Sequence, residues 1–398
     1  MGSYSGLYIR GQELLWWKNG LSPIATGLFT KSDIERGKGE DSARLIKKYG
    51  LTRYSGDHTA EDLDWEIVLA VVDVATLRQR LSIFGYNKAL FDENMSQAIQ
   101  ECRQSLDEAD KDMRAHYAEQ LDTLEKIKNN RIPLADLSYK SLERWGFYDE
   151  MVTIWAVLQN PDINDSDVAI IDLDDLVEGG WLDDEFANTD SDYLLPEGYF
   201  TPQVPIIITE GVSDERFLQK SLEVIYPKLV NNVRFLDSDF KPERSASSAV
   251  KLVKSFASAG INNRILVILD NDAAACDAIR DLPWSLPKNI KVIQYPKLEW
   301  LNRYPTIGAQ GEVVMDVNGL AGSIEMYLGK ETLTDESGKL VRIQWQGYIN
   351  RVKKYQGTLL DKAGVQKRFD EKDEKSLDDW HDLKQVWDFI IESLSKIR

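Results

Sequence analysis

The chain has 398 residues, 43% of them hydrophobic and 29% charged, enough for two or three globular domains with a sizeable core. A formal net charge of -18 argues against a protein that coats nucleic acid at large. Two cysteines, Cys102 and Cys276, make no disulfide framework and fit a reducing cytoplasm, no apolar run approaches a membrane span, and no signal-peptide pattern is expected at the N-terminus.

In chain order, Leu7-Tyr-Ile9 and Glu13-Leu-Leu-Trp-Trp17 read as short strands of a hairpin turning at Gly11-Gln12. From about Ala60, Leu63, Ile67, Val71, Val74, Leu77 and Leu81 recur at spacings of three and four, which predicts a helix. Further helices are predicted over Phe91–Cys102, continuing toward Lys128, and over Ser138–Leu158. Residues 1–160 are therefore expected to form a mainly helical domain with a small β element at its start.

Residues 161–200 hold 13 Asp or Glu and no Lys or Arg, so the rest of the chain carries only -5 (-18 less -13). Charge blocks of this kind are usually solvated connectors, although Val168-Ala-Ile-Ile171 and Trp181 are apolar enough to pack. A sharper expectation is that this segment mimics phosphate over the basic stretch Lys339–Arg368, which has eight basic residues against one acidic, Asp361. If it acts as a brake, deleting it raises basal activity; unchanged activity in a folded deletion variant would end that idea.

From Val204 the pattern alternates. Strands are predicted at 204–209, 233–236, 264–269 and 291–294, separated by helices at 214–226, 246–259 and 273–280, with Ser245 to Ser248 as a helix N-cap region. Alternation of this kind makes a parallel sheet with flanking helices. Trp300 and Tyr304-Pro-Thr-Ile-Gly308 read as loop packing. A final helix from about Ser376 carries the stripe Leu377, Trp380, Leu383, Val386, Trp387, Ile390 and Leu394, the ordinary pattern of a face packed on its own domain.

The chemistry lies at the strand ends. Val204-Pro-Ile-Ile-Ile-Thr209 delivers Glu210-Gly211 and then Ser213-Asp214 at a helix start; Ile265-Leu-Val-Ile-Leu269 delivers Asp270-Asn-Asp272. Parallel α/β sheets place sites at the carboxyl ends of strands. Carboxylates gathered there suit hard cations such as Mg²⁺, which take oxygen ligands. Gly211 leaves room for the backbone to approach a substrate.

A Glu-Gly after one strand and an Asp-x-Asp after another about 60 residues on resembles the Toprim domain of topoisomerases, bacterial primases and OLD-family nucleases. Asp214, four residues after Glu210, resembles the OLD type. Asp270-Asn-Asp-Ala-Ala-Ala275, Asp316-Val-Asn-Gly-Leu-Ala-Gly-Ser-Ile-Glu325, the opening Met1-Gly-Ser-Tyr and Arg80-Leu-Ser-Ile-Phe-Gly-Tyr86 resemble bacterial HEPN/Toprim-associated proteins. The resemblance implies an α/β Toprim fold (a Rossmann-like parallel sheet) over 201–345, followed by a helical extension with a basic segment over 346–398. It implies a Mg²⁺-dependent (or Mn²⁺-dependent) endonuclease cutting DNA or RNA, in bacterial anti-phage defence or growth arrest. Glu210 is then acid/base or ligand, Asp270 and Asp272 are ligands, and Asp214 and Glu325 complete a second metal position. Lys362 is the cation for the phosphorane, with Lys354 as substitute.

Arg53-Tyr-Ser-Gly-Asp-His58 has the spacing of HEPN ribonucleases but reads as a turn, and His116 and His381 lack zinc-spaced partners. No Gly-x4-Gly-Lys-Ser/Thr occurs, so ATP-driven gating would need a separate ATPase or sensor partner. A homodimer or larger oligomer is expected by resemblance. The rival readings are a non-catalytic metal- or phosphate-binding scaffold and a primase-like nucleotidyl transferase.

Overall fold

The computed structural model describes the chain except residues 1, 21–26, 52–65, 130–132, 134–149, 183–203, 237–244, 373, 375 and 398. It divides into two compact units, Met1–Pro202 and Gln203–Arg398. No described helix is long and apolar enough to cross a membrane.

The first unit is built on a five-stranded antiparallel sheet. Its strands are β1 (Tyr4–Ile9), β2 (Gln12–Lys18), β3 (Ile34–Lys38), β4 (Glu66–Asp73) and β5 (Val168–Asp172), in the order β2-β1-β5-β4-β3. The β1–β2 hairpin forms as expected and turns through Arg10 and Gly11, both at positive φ (54° and 74°), the conformation that matches strand twist. Among the described residues, helices α1 (Glu40–Tyr49), α2 (Val74–Ile83), α3 (Lys88–Glu108), α4 (Arg114–Lys128), α5 (Glu150–Leu158) and the short α6 (Asp174–Glu178) accompany the sheet.

Two expectations fail here, for one reason. The apolar series beginning near Ala60 is not a single helix: residues 66–73 are β4 and the helix starts at Val74, with Asp73 as its cap accepting from Thr76 N. Both faces of β4 are covered, Val68, Ala70 and Val72 in the main core and Ile67, Leu69 and Val71 in a smaller one under α1. A strand buried on both faces has no alternation and imitates helical spacing. Likewise, the acidic 161–200 stretch is not simply a connector. It contains β5, the middle strand, whose Ala169, Ile170 and Ile171 are fully buried. The β element is thus a five-stranded sheet at the centre of the unit rather than a small one at its start, with helices packed around it. Arg80 and Asp33 form a wholly buried ion pair (Nη1–Oδ2 2.6 Å), and Arg80 also donates to the Leu28 carbonyl.

The second unit contains the predicted parallel sheet. Its strands are β6 (Ile206–Ile208), β7 (Arg234–Phe235), β8 (Ile265–Leu269) and β10 (Ile290–Gln294), in the order β10-β8-β6-β7, all parallel. Helices α7 (Val212–Ile225), α8 (Ala246–Ala259) and α9 (Ala273–Ile279) connect them, and within the expected cap region it is Ser245 that caps α8. A two-residue strand β9 (Asn271–Asp272) pairs with β13 (Ala321–Gly322).

The chain then builds a second sheet that the sequence reading missed: β11 (Tyr304–Gly308), β12 (Gly311–Met315), β14 (Ile343–Ile349) and β15 (Lys354–Leu359), ordered β12-β11-β14-β15. Tyr304–Gly308 is therefore a strand, not a loop, and a boundary at 345/346 would cut β14. Helices α10 (Lys330–Leu333), α11 (Lys362–Asp370) and α12 (His381–Ser395) follow. The stripe of α12 is buried within this unit, where Trp387 Nε1 donates to Ser221 Oγ of α7 (2.9 Å).

Candidate active site

Strand order decides where a cleft opens. After β6 the chain adds β7 on one side and then crosses to add β8 on the other, so the connections diverge between β6 and β8. Ligands of open α/β sheets bind at the carboxyl ends beside such a switch. Glu210 follows β6 and Asp270 follows β8, and the Asp270 backbone N–H donates to Glu210 Oε1 at 2.7 Å.

Around this link stand the other predicted acids. Asp214, in the first turn of α7, is buried and accepts from the Tyr295 hydroxyl at 3.1 Å. Asp272 caps α9, accepting from Ala275 N (2.7 Å), while its other oxygen accepts from Gln356 Nε2 of β15 (2.7 Å). Glu325, in a 3-10 turn after β13, is buried and held by Ser323 Oγ (2.7 Å), Gln366 Nε2 (3.0 Å) and Lys362 Nζ (3.2 Å).

Charge crowding is visible in the proton affinities. Burial, then Asp272 and Asp214, raise Glu210 to about 7. Burial, then Glu325, raise Asp214 to about 6. Asp270 is held well above the carboxylate range by burial, then by Asp214, Glu210 and Asp272, and its Oδ1 is buried with no hydrogen-bond partner. For Glu325 burial also acts upward, but Lys362, Ser323 and Gln366 outweigh it and the carboxyl lies below its ordinary value. Burial would lower Lys362, yet Glu325, Asp270 and Asp214 hold its ammonium above the usual lysine value.

The two candidate lysines separate. Lys362, first residue of α11, faces the acids; Lys354 Nζ lies 3.1 Å from Cys276 Sγ and donates to the Gly319 carbonyl at 3.3 Å. A Cβ at Gly211 would stand 3.2 Å from Asp214 Oδ2, so this glycine leaves space beside an acid, next to half-buried Ser213. The basic stretch is mostly paired within its own unit: Arg342 with Glu312, Arg351 with Asp277 and Asp281, Arg368 with Asp361. The Arg53–His58 motif lies outside the described residues.

Three participants escaped the sequence reading. Tyr295 directly follows β10, so the same strand-end rule would have found it. Gln356 and Gln366 carry no signal in sequence, because glutamines are found anywhere on a surface and only tertiary contact assigns these two.

The donor set is all oxygen, which suits a hard divalent cation. An ion near Asp270 Oδ1 would occupy an unpartnered buried acceptor and relieve the mutual repulsion. The acids are nonetheless not closed about one point: among the described residues, no three His, Cys, Asp or Glu side chains are gathered tightly enough to hold a metal ion.

Residues 1–192 match a family model described as HEPN/Toprim N-terminal domain 1. That supports a HEPN/Toprim-associated protein, on evidence from just under half of the chain and from the unit that lacks the acids. No curated protein and no solved structure matches the chain.

Proposed function

We propose that the second unit is a Toprim-type nuclease, a divalent-metal-dependent phosphodiesterase acting on DNA or RNA. The observation that carries this reading is the unpartnered, buried Asp270 Oδ1 at the sheet's switch point, surrounded by Glu210, Asp214 and Asp272. The name of the domain matched by the first unit supports the same context. We extend it to a bacterial, cytoplasmic role in anti-phage defence, with a sensor or ATPase partner supplying control and self-association possible to test by sedimentation.

In this reading Asp270 and Asp272 would hold one Mg²⁺ or Mn²⁺, and Asp214 with Glu325 would hold a second. When bound, the metal supplies charge stabilisation to the attacking and leaving oxygens of the phosphodiester. Asp272 is oriented by Gln356 and by its helix cap. Glu210, raised toward neutrality, is suited to take a proton from water or return one to the leaving oxygen. Lys362 keeps a charge that its neighbours reinforce, and its side chain is 43% exposed, so a phosphate oxygen can reach it.

The test is incubation with supercoiled plasmid, linear DNA and tRNA in Mg²⁺, Mn²⁺ or EDTA, beside Asp270→Asn/Asp272→Asn. Metal-dependent cleavage lost in the variant supports the nuclease. The absence of a closed acidic triad favours a second reading, a scaffold that binds metal or phosphate without cleaving; metal binding without turnover on any substrate would support that instead.

A further inference from the structure

The β14–β15 hairpin carries an aromatic surface that the acidic centre does not use. Tyr348 and Tyr355 face each other across the pair, ring centroids 5.0 Å apart at 66°, and Trp345 lies 6.3 Å from Tyr355 at 65°. The tyrosines are 47% and 57% exposed, large values for rings in regular strands. With Ile307, Met315 and Gln346 they line an open groove of about 670 Å³. A β-bulge between Trp345 and Gly347 twists the hairpin at this point.

Two features select the occupant. Among the described residues no Asp or Glu lines the groove, although the chain holds 66 of them, so no lining carboxylate opposes a polyanion there. Exposed Lys353 stands on the turn joining the two strands, cationic against the same ligand, while Arg351 beside it is engaged by Asp277 and Asp281. The groove and the acidic centre share strand β15, on its two faces. Tyr355 turns to the groove, and Gln356, the next residue, turns to the opposite face, where its side chain donates to Asp272. β15 is the last strand of its sheet, and beyond its edge Gly357 N–H donates to the Leu320 carbonyl.

We propose that this hairpin is a base-stacking platform for single-stranded nucleic acid, and that the substrate of the candidate nuclease is single-stranded. Rings offer a surface to any unpaired base, whereas a duplex keeps its bases stacked inside. The substrate half of this statement rests on the nuclease reading; the platform itself does not.

The test separates them. Binding of labelled oligo(dT), oligo(rU) and a DNA duplex, each about 20 nucleotides long and so longer than one such surface covers, is measured in EDTA by fluorescence anisotropy. The variants are Tyr348→Ala, Tyr355→Ala and their Phe counterparts. The expected result is roughly five- to a hundredfold weaker single-strand binding for each alanine variant, retained by Phe, with an unchanged melting temperature. The dT and rU arms report which sugar is preferred. Equal weakening for the duplex, no weakening at all, or rings that instead drive self-association without binding any oligonucleotide would overturn the platform. Ring-dependent binding without cleavage in any metal would sink the nuclease and leave the platform. Cleavage unaffected by either alanine variant would do the reverse.

Discussion

Asp270 concentrates the strain of the site: a carboxylate with one buried oxygen unpartnered and three acids raising its proton affinity. Asp270→Asn keeps the shape and removes the charge, so we expect at least about a hundredfold loss of metal-dependent cleavage with unchanged or raised stability in EDTA. A variant that cleaves like the wild type would remove Asp270 from the chemistry. Glu210 gives a pH prediction. Its folded value of about 7 lies above its ordinary 4.5, so the fold binds that proton more tightly than the unfolded chain does. The associated stability is present in full below about pH 4.5 and disappears as pH rises through 7, with Asp214 acting alike up to about 6. For Glu210 alone the range is about 3 kcal/mol. In EDTA, the wild type should lose more melting temperature between pH 5.5 and 8 than Glu210→Gln does; equal losses would show that this carboxyl is not the one titrating. Lys362→Met removes the cation beside buried Glu325 and should cost both cleavage and stability, whereas Lys354→Met, away from the acids, should leave cleavage within a few-fold. Opposite behaviour in a cleavage assay would exchange their roles.

At the scale of elements, the Arg80–Asp33 pair ties α2 to the turn before β3 with neither partner exposed. Losing one partner strands a charge in the interior, which costs roughly 3–5 kcal/mol. Arg80→Met should therefore lower the melting temperature strongly, while Arg80→Met/Asp33→Leu should recover much of it; a double variant no better than the single would show that geometry, not charge, matters there. This pairing also shows what a sequence pattern conveys. Arg80 stands inside the Arg80–Tyr86 run that resembles the family, and the run proves to be helix and turn, yet its buried partner lies 47 residues earlier. On the other side, Trp387 of α12 fills the core under α7, and Trp387→Ala should cost about 3–5 kcal/mol by cavity formation, read by denaturant unfolding.

At the scale of the whole molecule, the division at 202/203 separates a sheet-centred first unit from a second unit that holds every candidate site residue. The acidic centre, the second sheet and α12 share one unit, so residues 346–398 belong to the site's own fold and supply Lys362, Gln356 and Gln366. We expect residues 203–398 to fold alone and melt as one transition, with Mg²⁺ raising that transition most at pH 8, where the acids are charged. Several overlapping transitions in calorimetry would show that the C-terminal elements are separable after all.

The sequence by itself determined the parallel sheet of the second unit and the acids at its strand ends. Short apolar runs between turn residues are local signals, and the strand end is a place the chain names directly. It also determined the β1–β2 hairpin, through its glycine turn. Only the tertiary structure decided that Val168–Asp172, inside the most acidic stretch, is the middle strand of the first unit. It also decided that Tyr304–Gly308 pairs into a second sheet, that Lys362 rather than Lys354 meets the acids, and that Gln356 orients Asp272. In each case the deciding interaction joins residues far apart in the chain. A strand's burial, a lysine's direction and a glutamine's partner are set by what packs against them, and no local pattern records that.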